Sequence, residues 1–355
     1  MINAKKGTMR ELKIGPRTIN DESDCFVIAE IGHNHQGSVE TAMKIIAEAK
    51  KVGADAVKFQ KRNNKELYTK AMYDSAYNND NSYGETYGAH REALELGWED
   101  YVKLKEFAEG LDLIFFATAF DFSSVDFLEK LGVPLYKLAS GDLKNLPLIS
   151  YIARTGKPAL LSTGGGRMED VERAYELFTK ENKDLAVLQC TATYPCEPEE
   201  MNLNVITTFR DKFPQTVIGL SDHQSGIGMA LVAFTLGARI IEKHFTLNRA
   251  WKGSDHAFSL APVGFSKLVR DLRRVRLALG SFEKQPNARE EQYLFKMGKK
   301  LVAACDLKKG DVLSEVNIAI KSPADGLPPY ELPNFIGRPL KRDLKLDENI
   351  RYEDI

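Results

Sequence analysis

Ala56-Val57-Lys58-Phe59-Gln60 is an apolar run of strand length with a lysine and a glutamine at alternate positions in its C-terminal half. Ile240-Ile241-Glu242-Lys243-His244 repeats the arrangement with a glutamate and a histidine. Successive strand side chains point to opposite faces, so Lys58 and Gln60 share one direction, as do Glu242 and His244. Burying such groups is costly unless they are paired or liganded. Six further runs have the same character: Phe26–Ile31, Ile114–Ala119, Leu135–Ala139, Ala159–Ser162, Leu185–Cys190 and Val217–Leu220. Amphipathic stretches lie between the runs, among them Val39–Val52, Tyr101–Gly110, Met168–Leu177 and Ile227–Gly237, and a last helix is predicted over Pro262–Leu279. This rhythm predicts parallel β/α units.

Eight such units in roughly 260 residues match a (β/α)₈ barrel of the TIM type, with a doubly wound sheet as the alternative. The polar strand ends favour the barrel. They are Glu30; Lys58 and Gln60; Thr118; Lys137 and Ser140; Ser162 and Thr163; Gln189 and Thr191; Ser221, Asp222 and His223; Glu242 and His244. A barrel gathers all eight ends on the one face where barrel enzymes work, whereas an open sheet would scatter many of them.

Working outward, one connection is unusually long. Between Gln60 and Trp98 lies a segment rich in Tyr and Asn that also carries His90 and Arg91. Loops of this length are functional or disordered, and Tyr and Asn suit sugar hydroxyls and amides. Past Leu279 the pattern breaks. Residues 1–280 are read as the barrel, 281–295 as a polar linker and 296–355 as a small β-rich domain with short runs at Leu301–Ala304 and Ile318–Ile320. A tail of that size is marginal alone and is expected to pack against its own barrel or a partner subunit.

The 355 residues carry a net charge of −1, which argues against a nucleic-acid or anionic-membrane partner. None of the four cysteines forms a CxxC pair. Cys25 and Cys190 sit in apolar runs and read as reduced core thiols, so a cytoplasmic protein is expected. MINAKKGTMRELKIG has no long apolar stretch, so neither a leader nor a membrane span is expected.

The six histidines, His33, His35, His90, His223, His244 and His256, fall in loops or at strand ends. His223 and His244 follow neighbouring strands and suit Mn²⁺, Zn²⁺, Fe²⁺ or Co²⁺, or else a hydrogen-bonding catalytic pair. Glu30, Glu242, Asp142 and Asp255 are the acids on the same face, either as proton-transfer groups or as ion-pair partners of Lys58, Lys137 or Lys243. Lys58, Lys137, the run Ser162-Thr163-Gly164-Gly165-Gly166 and the turn Ser140-Gly141-Asp142 are candidate anion binders. The loop Trp251–His256 (WKGSDH) follows the last strand and is placed to close over the site. The residues alone thus point to a barrel enzyme with a divalent metal, an anionic substrate and a polyol.

At these residues the chain resembles the sialic acid synthase family. The matching segments are Phe26–Gly37 (FVIAEIGHNHQG), Gly53–Gln60 (GADAVKFQ), Tyr136–Asn145 (YKLASGDLKN), Leu161–Gly165 (LSTGG), Leu188–Pro195 (LQCTATYP), Gly219–Gly226 (GLSDHQSG) and Gly237–Phe245 (GARIIEKHF). The tail resembles the antifreeze-like (SAF, β-clip) domain that ends these synthases. The resemblance implies condensation of phosphoenolpyruvate with open-chain N-acetylmannosamine or a relative, giving a nine-carbon 2-keto acid and phosphate. It implies that His223 and His244 hold a divalent metal, Mn²⁺ first, with Mg²⁺ or Co²⁺ as alternatives. It assigns Lys58, Lys137, Ser140, Ser162 and Ser221 to phosphoenolpyruvate, Glu30 and Glu242 to hydroxyls and protons, and Gln60, Asp142, Tyr194 and Asp255 to the sugar. It further implies a homodimer in which the tail of one subunit caps the barrel of the other. Bacterial members often carry an arginine where this chain has Ser322, so Lys321 or the Pro328–Tyr330 segment is expected to serve instead.

The sugar stays open between N-acetylmannosamine, its 6-phosphate, and the diamino-sugars of legionaminic and pseudaminic acid. Likeness to bacterial members in SDHQSG and WKGSDH favours the free sugar. Likeness to the animal 9-phosphate synthase at Thr86–Arg91 keeps the 6-phosphate in view, with Arg62, His90 and Arg91 either its ligands or a solvated charge cluster. A class II aldolase and a non-catalytic sugar binder are the rivals, and neither accounts for two histidines, two strand lysines and several acids on one face.

Overall fold

A computed structural model describes residues 10–355. The N-terminal expectation falls largely on residues 1–9, outside the described residues. Two compact units divide at Gly280 and Ser281.

The first unit opens with a hairpin, β1 (Glu11–Ile14) and β2 (Arg17–Asn20). Eight parallel strands follow: β3 (Phe26–Gly32), β4 (Ala56–Lys61), β5 (Ile114–Ala119), β6 (Tyr136–Leu138), β7 (Ala159–Ser162), β8 (Leu185–Cys190), β9 (Val217–Asp222) and β10 (Ile240–His244). They close into a barrel in sequence order, with β10 pairing back onto β3. The expected barrel is therefore the fold, and its strands coincide with the eight apolar runs to within two residues at either end.

Alternation along each strand separates two cores. Outward residues such as Val27, Ala29, Ile31, Val57, Phe59 and Ile241 pack under the surrounding helices. Inward residues such as Phe26, Ile28, Ala56, Phe116, Leu135, Leu160, Leu188, Val217 and Ile240 fill the barrel together with Leu12, Ile14 and Ile19 of the hairpin. In seven of the eight strands the inward series turns polar towards the C-terminal end, and in β8 it ends in a thiol. Ile28 is followed by Glu30, Ala56 by Lys58 and Gln60, Phe116 by Thr118, Leu135 by Lys137, Leu160 by Ser162, Leu188 by Cys190, Val217 by Ser221 after Gly219, and Ile240 by Glu242 and His244. The apolar layers supply the stability and leave the upper layer free for chemistry.

Helices over Val39–Lys51, Trp98–Glu109, Met168–Glu181, Gly228–Thr235 and Pro262–Leu279 fall where periodicity places them. Three more, Phe122–Leu131, Leu146–Ala153 and Val205–Lys212, escape that reading. The first is punctuated locally: Asp121 Oδ1 accepts the Ser124 N–H at 2.7 Å, and Gly132 ends the helix at φ 75°. The second is apolar nearly all round and so shows no stripe. The long Gln60–Trp98 connection holds short helices at Asn64–Leu67, Lys70–Tyr73 and Tyr87–Glu92. It is pinned to the WKGSDH loop by Tyr83 Oη donating to the Lys252 carbonyl at 2.7 Å and by Gly253 N–H donating to Asn81 Oδ1 at 3.0 Å.

In the second unit β11 (Lys300–Ala303) and β12 (Ile318–Lys321) pair antiparallel over a core of Leu301, Leu313, Phe335, Leu340, Leu344 and Ile350. The stretch read as a linker also contains the start of a helix, Glu291–Met297. The sequence reading overlooked it because its apolar residues are exposed rather than buried on one face. Among the described residues no helix is long and apolar enough to cross a membrane.

Candidate active site

A cavity of about 430 Å³ opens at the C-terminal ends of the barrel strands. Twelve of the thirteen candidate residues line it: Glu30, Lys58, Gln60, Lys137, Ser140, Ser162, Tyr194, Ser221, His223, Glu242, His244 and Asp255. Asp142 does not. Its carboxylate turns aside to accept the Asn145 side-chain N–H at 3.0 Å, while its neighbours Ser140 and Gly141 reach the wall.

Two carboxylates and two lysines form the floor. Lys58 Nζ lies 2.8 Å from Glu30 and 3.5 Å from Glu242, and Lys137 Nζ lies 3.9 Å from Glu242. Both lysines are at most 3% exposed. Burial pushes the Glu30 carboxyl up to about 7, against the pull of Lys58, and the charge of Glu242 adds to the rise. Burial works on Glu242 in the same sense, but Lys137 and Lys58 outweigh it and hold that carboxyl below its usual range. The floor thus pairs one carboxyl poised to exchange a proton near neutrality with one that stays ionised, as acid–base chemistry requires.

Local backbone geometry sets up this arrangement. Gly32 sits at φ 50° just past a register shift between β3 and β4. A Cβ there would stand 3.1 Å from Glu30 Oε1 and 3.2 Å from Gln60 Nε2, inside the 2.6 Å hydrogen bond that Gln60 donates to Glu30. The glycine run beside Ser162 works differently from a free phosphate cradle. Gly164 N–H already donates to Ser140 Oγ at 2.9 Å, so the two candidate anion-binding turns are tied together. Lys137 Nζ donates to Ser162 Oγ at 2.6 Å, and Ser221 Oγ to Glu242 at 3.2 Å.

The two imidazoles meet on the far wall. The His223 and His244 ring centres are 5.4 Å apart, and the Tyr194 ring packs against His223 at 4.1 Å between centres, tilted by 42°. Burial, reinforced by His244, lowers His223 to about 4, and burial lowers His244 as well. Both rings are therefore neutral at pH 7 and have lone pairs to offer. His223 Nδ1 lies 2.8 Å from the Thr191 carbonyl; as donor to that oxygen it leaves Nε2 unprotonated. His244 Nδ1 is buried without a hydrogen-bond partner, 3.6 Å from Asp255. Among the described residues no three His, Cys, Asp or Glu side chains converge on one point. The donor set thus fits a divalent cation held by two imidazoles, with water or substrate oxygens completing its shell, as catalytic sites allow.

The remaining histidines divide. His33 lines the cavity. His35 packs against Phe59, and its Nδ1 accepts the Gly37 N–H at 3.1 Å. His90 is stacked among Tyr77, Tyr83 and Tyr87, and His256 bonds Thr246 Oγ1 at 2.7 Å. Cys190, read as a core thiol, is buried but lines the cavity, which its place at a strand end could have signalled. Arg62, Arg91 and Thr118 also reach the wall. Arg62 continues the alternation of Lys58 and Gln60, a cue already present in the sequence. Lys243 points away and pairs with Asp222 at 2.8 Å in the barrel wall.

Buried neutral histidines make a pH prediction. Burial lowers His35 to about 4 and lowers His33 and His256 below their ordinary range. A depressed folded-state value means that the unfolded chain takes up protons first. Stability is thus full above about 6.5 and is lost as pH falls towards 4, by about 3 kcal/mol for His35 alone. Glu30, with a raised value, acts oppositely between about 7 and 4.5, and three histidines outweigh it. The thermal midpoint should fall between pH 7.5 and pH 5; a constant or rising midpoint would contradict these environments.

Residues 45–284 match the model of the NeuB family and residues 300–355 that of the SAF domain. The chain is 37% identical to N-acetylneuraminate-9-phosphate synthase of Homo sapiens, covering 97% of this chain and 96% of that one. It is 34% identical to N,N'-diacetyllegionaminic acid synthase of Legionella pneumophila, covering 93% and 94%. Among solved structures, N-acetylneuraminic acid (sialic acid) synthetase from Leptospira borgpetersenii superposes with a TM-score of 0.71 at 33% identity, over 81% of this chain and 96% of that one.

Proposed function

The chain belongs to the NeuB family, and from that premise we propose that it joins phosphoenolpyruvate to an N-acylated hexosamine aldehyde of the N-acetylmannosamine type. The product is a nine-carbon 2-keto acid, with phosphate released. The observation that carries this reading is the juxtaposition of Lys58 and Lys137 with one carboxyl poised to exchange a proton near neutrality, one that stays ionised, and two neutral imidazoles, all on one barrel face.

Each group has a task in this scheme. Lys58, Lys137, Ser140, Ser162 and Ser221 hold the phosphate and carboxylate of phosphoenolpyruvate in a water-poor floor where charge-assisted hydrogen bonds are strong. Gln60, Tyr194 and Asp255 orient the sugar chain; Asp142 acts through the turn it shares with Ser140. The C3 carbon of phosphoenolpyruvate forms the new bond to the aldehyde carbon. Positive charge then develops at C2 beside ionised Glu242, which stabilises it. Water adds at C2, Glu30 takes one of its protons and returns it to the alkoxide formed from the aldehyde, and the C2–O bond breaks as phosphate leaves with the second proton and C2 becomes the keto carbonyl. His223 and His244 would hold a divalent cation, Mn²⁺ first, which when bound supplies Lewis acidity to the aldehyde oxygen.

A homodimer with exchanged tails also follows from the family resemblance. Phe282, Tyr293, Leu294, Phe295 and Met297, all in the first seventeen or so residues of the second unit, are exposed, a concentration of apolar side chains that suits a subunit contact. Sedimentation as a 39.8 kDa monomer at micromolar concentration would remove this part of the proposal.

The test is phosphate release from phosphoenolpyruvate with Mn²⁺ present. Release should require an N-acylated hexosamine and match the keto acid formed mole for mole. Release of pyruvate, or phosphate release indifferent to the sugar, would point to another reaction.

A further inference from the structure

We propose that the buried ion pair of Asp222 and Lys243, behind the wall that carries the two imidazoles, is a positioning pair that sets His223 and His244 to share one divalent cation. The inference rests on the metal site proposed above and adds to it two residues that touch neither metal nor substrate.

Place in the barrel is the first ground. Asp222 and Lys243 face each other across β9 and β10. Alternation turns both outwards, since Ser221, Glu242 and His244 line the cavity on the inner face. Asp222 directly precedes His223, and Lys243 stands between Glu242 and His244. A rotation of either strand end that swung an imidazole off the cavity would therefore part the pair. The two ring centres are 5.4 Å apart, and a shared cation needs one nitrogen of each ring at about 2 Å. Such a fit requires the ligands to be held to within about 0.5 Å.

The second ground is what the pair grips. Asp222 Oδ1 accepts the Gln224 N–H at 2.8 Å, and Lys243 Nζ donates to the Gln224 carbonyl. The residues on both sides of His223 are thus fixed by the pair. The His223 carbonyl in turn accepts the Cys196 N–H at 3.1 Å. A separate contact turns the ring, His223 Nδ1 to the Thr191 carbonyl at 2.8 Å. The ring contact sets the rotamer, and the ion pair sets the backbone from which that rotamer starts.

Energetics are the third. The charges are 2.8 Å apart, and the side chains of Asp222 and Lys243 are 0% and 1% exposed, the most buried ion pair among the described residues. Leu220 and Ile241, the preceding outward residues of the same strands, belong to the apolar core under the helices. Asp222 Oδ2 has no polar partner besides Lys243. Desolvation cancels most of what such a pair gains, and well-packed apolar residues would serve stability as well. The register of β9 and β10 does not need it either, because backbone pairing sets that register from Ile240 opposite Gly219 onwards. What apolar residues would not supply is the directional hold on the turn that presents His223.

Calorimetric titration of the full-length protein with Mn²⁺, without substrate, tests this. Asp222→Leu combined with Lys243→Met leaves no charge stranded and should keep the fold, with an unchanged circular dichroism spectrum. The Mn²⁺ dissociation constant should rise about 10- to 100-fold, the loss typical when an outer partner of a metal ligand is removed. KM for phosphoenolpyruvate at saturating Mn²⁺ should change far less, since the lysine floor is untouched. Parent-like Mn²⁺ affinity would overturn the proposal. Equal weakening of Mn²⁺ and phosphoenolpyruvate would make the pair a brace for the whole barrel end and overturn it too. If the double variant does not fold, Asp222→Asn takes its place, since it keeps the size and the acceptor for the Gln224 N–H. Its Mn²⁺ affinity should fall about 10-fold, the lower end of that range, and an unchanged affinity would again overturn the pair's role. A parent protein that binds no Mn²⁺ would instead sink the metal site on which the inference rests.

Discussion

Lys137→Ala is expected to lower kcat/KM for phosphoenolpyruvate by about 10²- to 10³-fold, from the loss of one to two charge-assisted hydrogen bonds of about 1.5–3 kcal/mol each. The sugar KM should move far less. The asymmetry follows from position. Lys137 Nζ reaches Ser162 Oγ at 2.6 Å and Glu242 at 3.9 Å on the barrel floor, below the layer of Gln60 and His244. Lys137 is also the better of the two lysines to remove. Lys58 bridges Glu30 and Glu242, and its loss would leave a buried carboxylate uncompensated and endanger the fold. Glu242 keeps Lys58 when Lys137 is gone. An equal loss for both substrates would contradict the assignment of the floor to phosphoenolpyruvate.

His223→Ala should reduce turnover about 10³-fold or more, the several kcal/mol a Lewis acid contributes to carbonyl activation. Mn²⁺ binding followed by calorimetry should vanish with it, a readout independent of turnover. The substitution strands the Thr191 carbonyl, which His223 Nδ1 contacts at 2.8 Å, so a stability loss of about 1–3 kcal/mol accompanies it. The circular dichroism spectrum should be unchanged. Full turnover by the variant in the presence of a chelator would remove the metal from the scheme.

The barrel was legible because its evidence is local. In seven of the eight strands the inward series runs from apolar to polar, and a period of two can be read from five residues. The clustering of twelve candidates on one wall follows from closure, which brings His244 beside Glu30 in register although 214 positions separate them in the chain. Other features depend on packing that no period encodes. The plug formed by Leu12, Ile14 and Ile19 comes from two four-residue strands, too short to show an alternating pattern. Asp142 left the wall because a turn residue three positions before Asn145 finds a local hydrogen-bond partner first. His90 and Arg91 are adjacent in sequence, yet helical geometry sends one into the tyrosine cluster and the other to the cavity. The union of His33, Arg62 and Arg91 joins the turn after β3 to both ends of the long Gln60–Trp98 connection and becomes visible only in space.

The most direct test of the condensing reaction is the fate of the oxygen that bridges C2 and phosphorus. With phosphoenolpyruvate labelled with oxygen-18 at that atom, the released phosphate should carry the heavy isotope and a nine-carbon keto acid should form beside it. Unlabelled phosphate accompanied by pyruvate would mean that the P–O bond breaks, and would contradict the reaction assigned to this site.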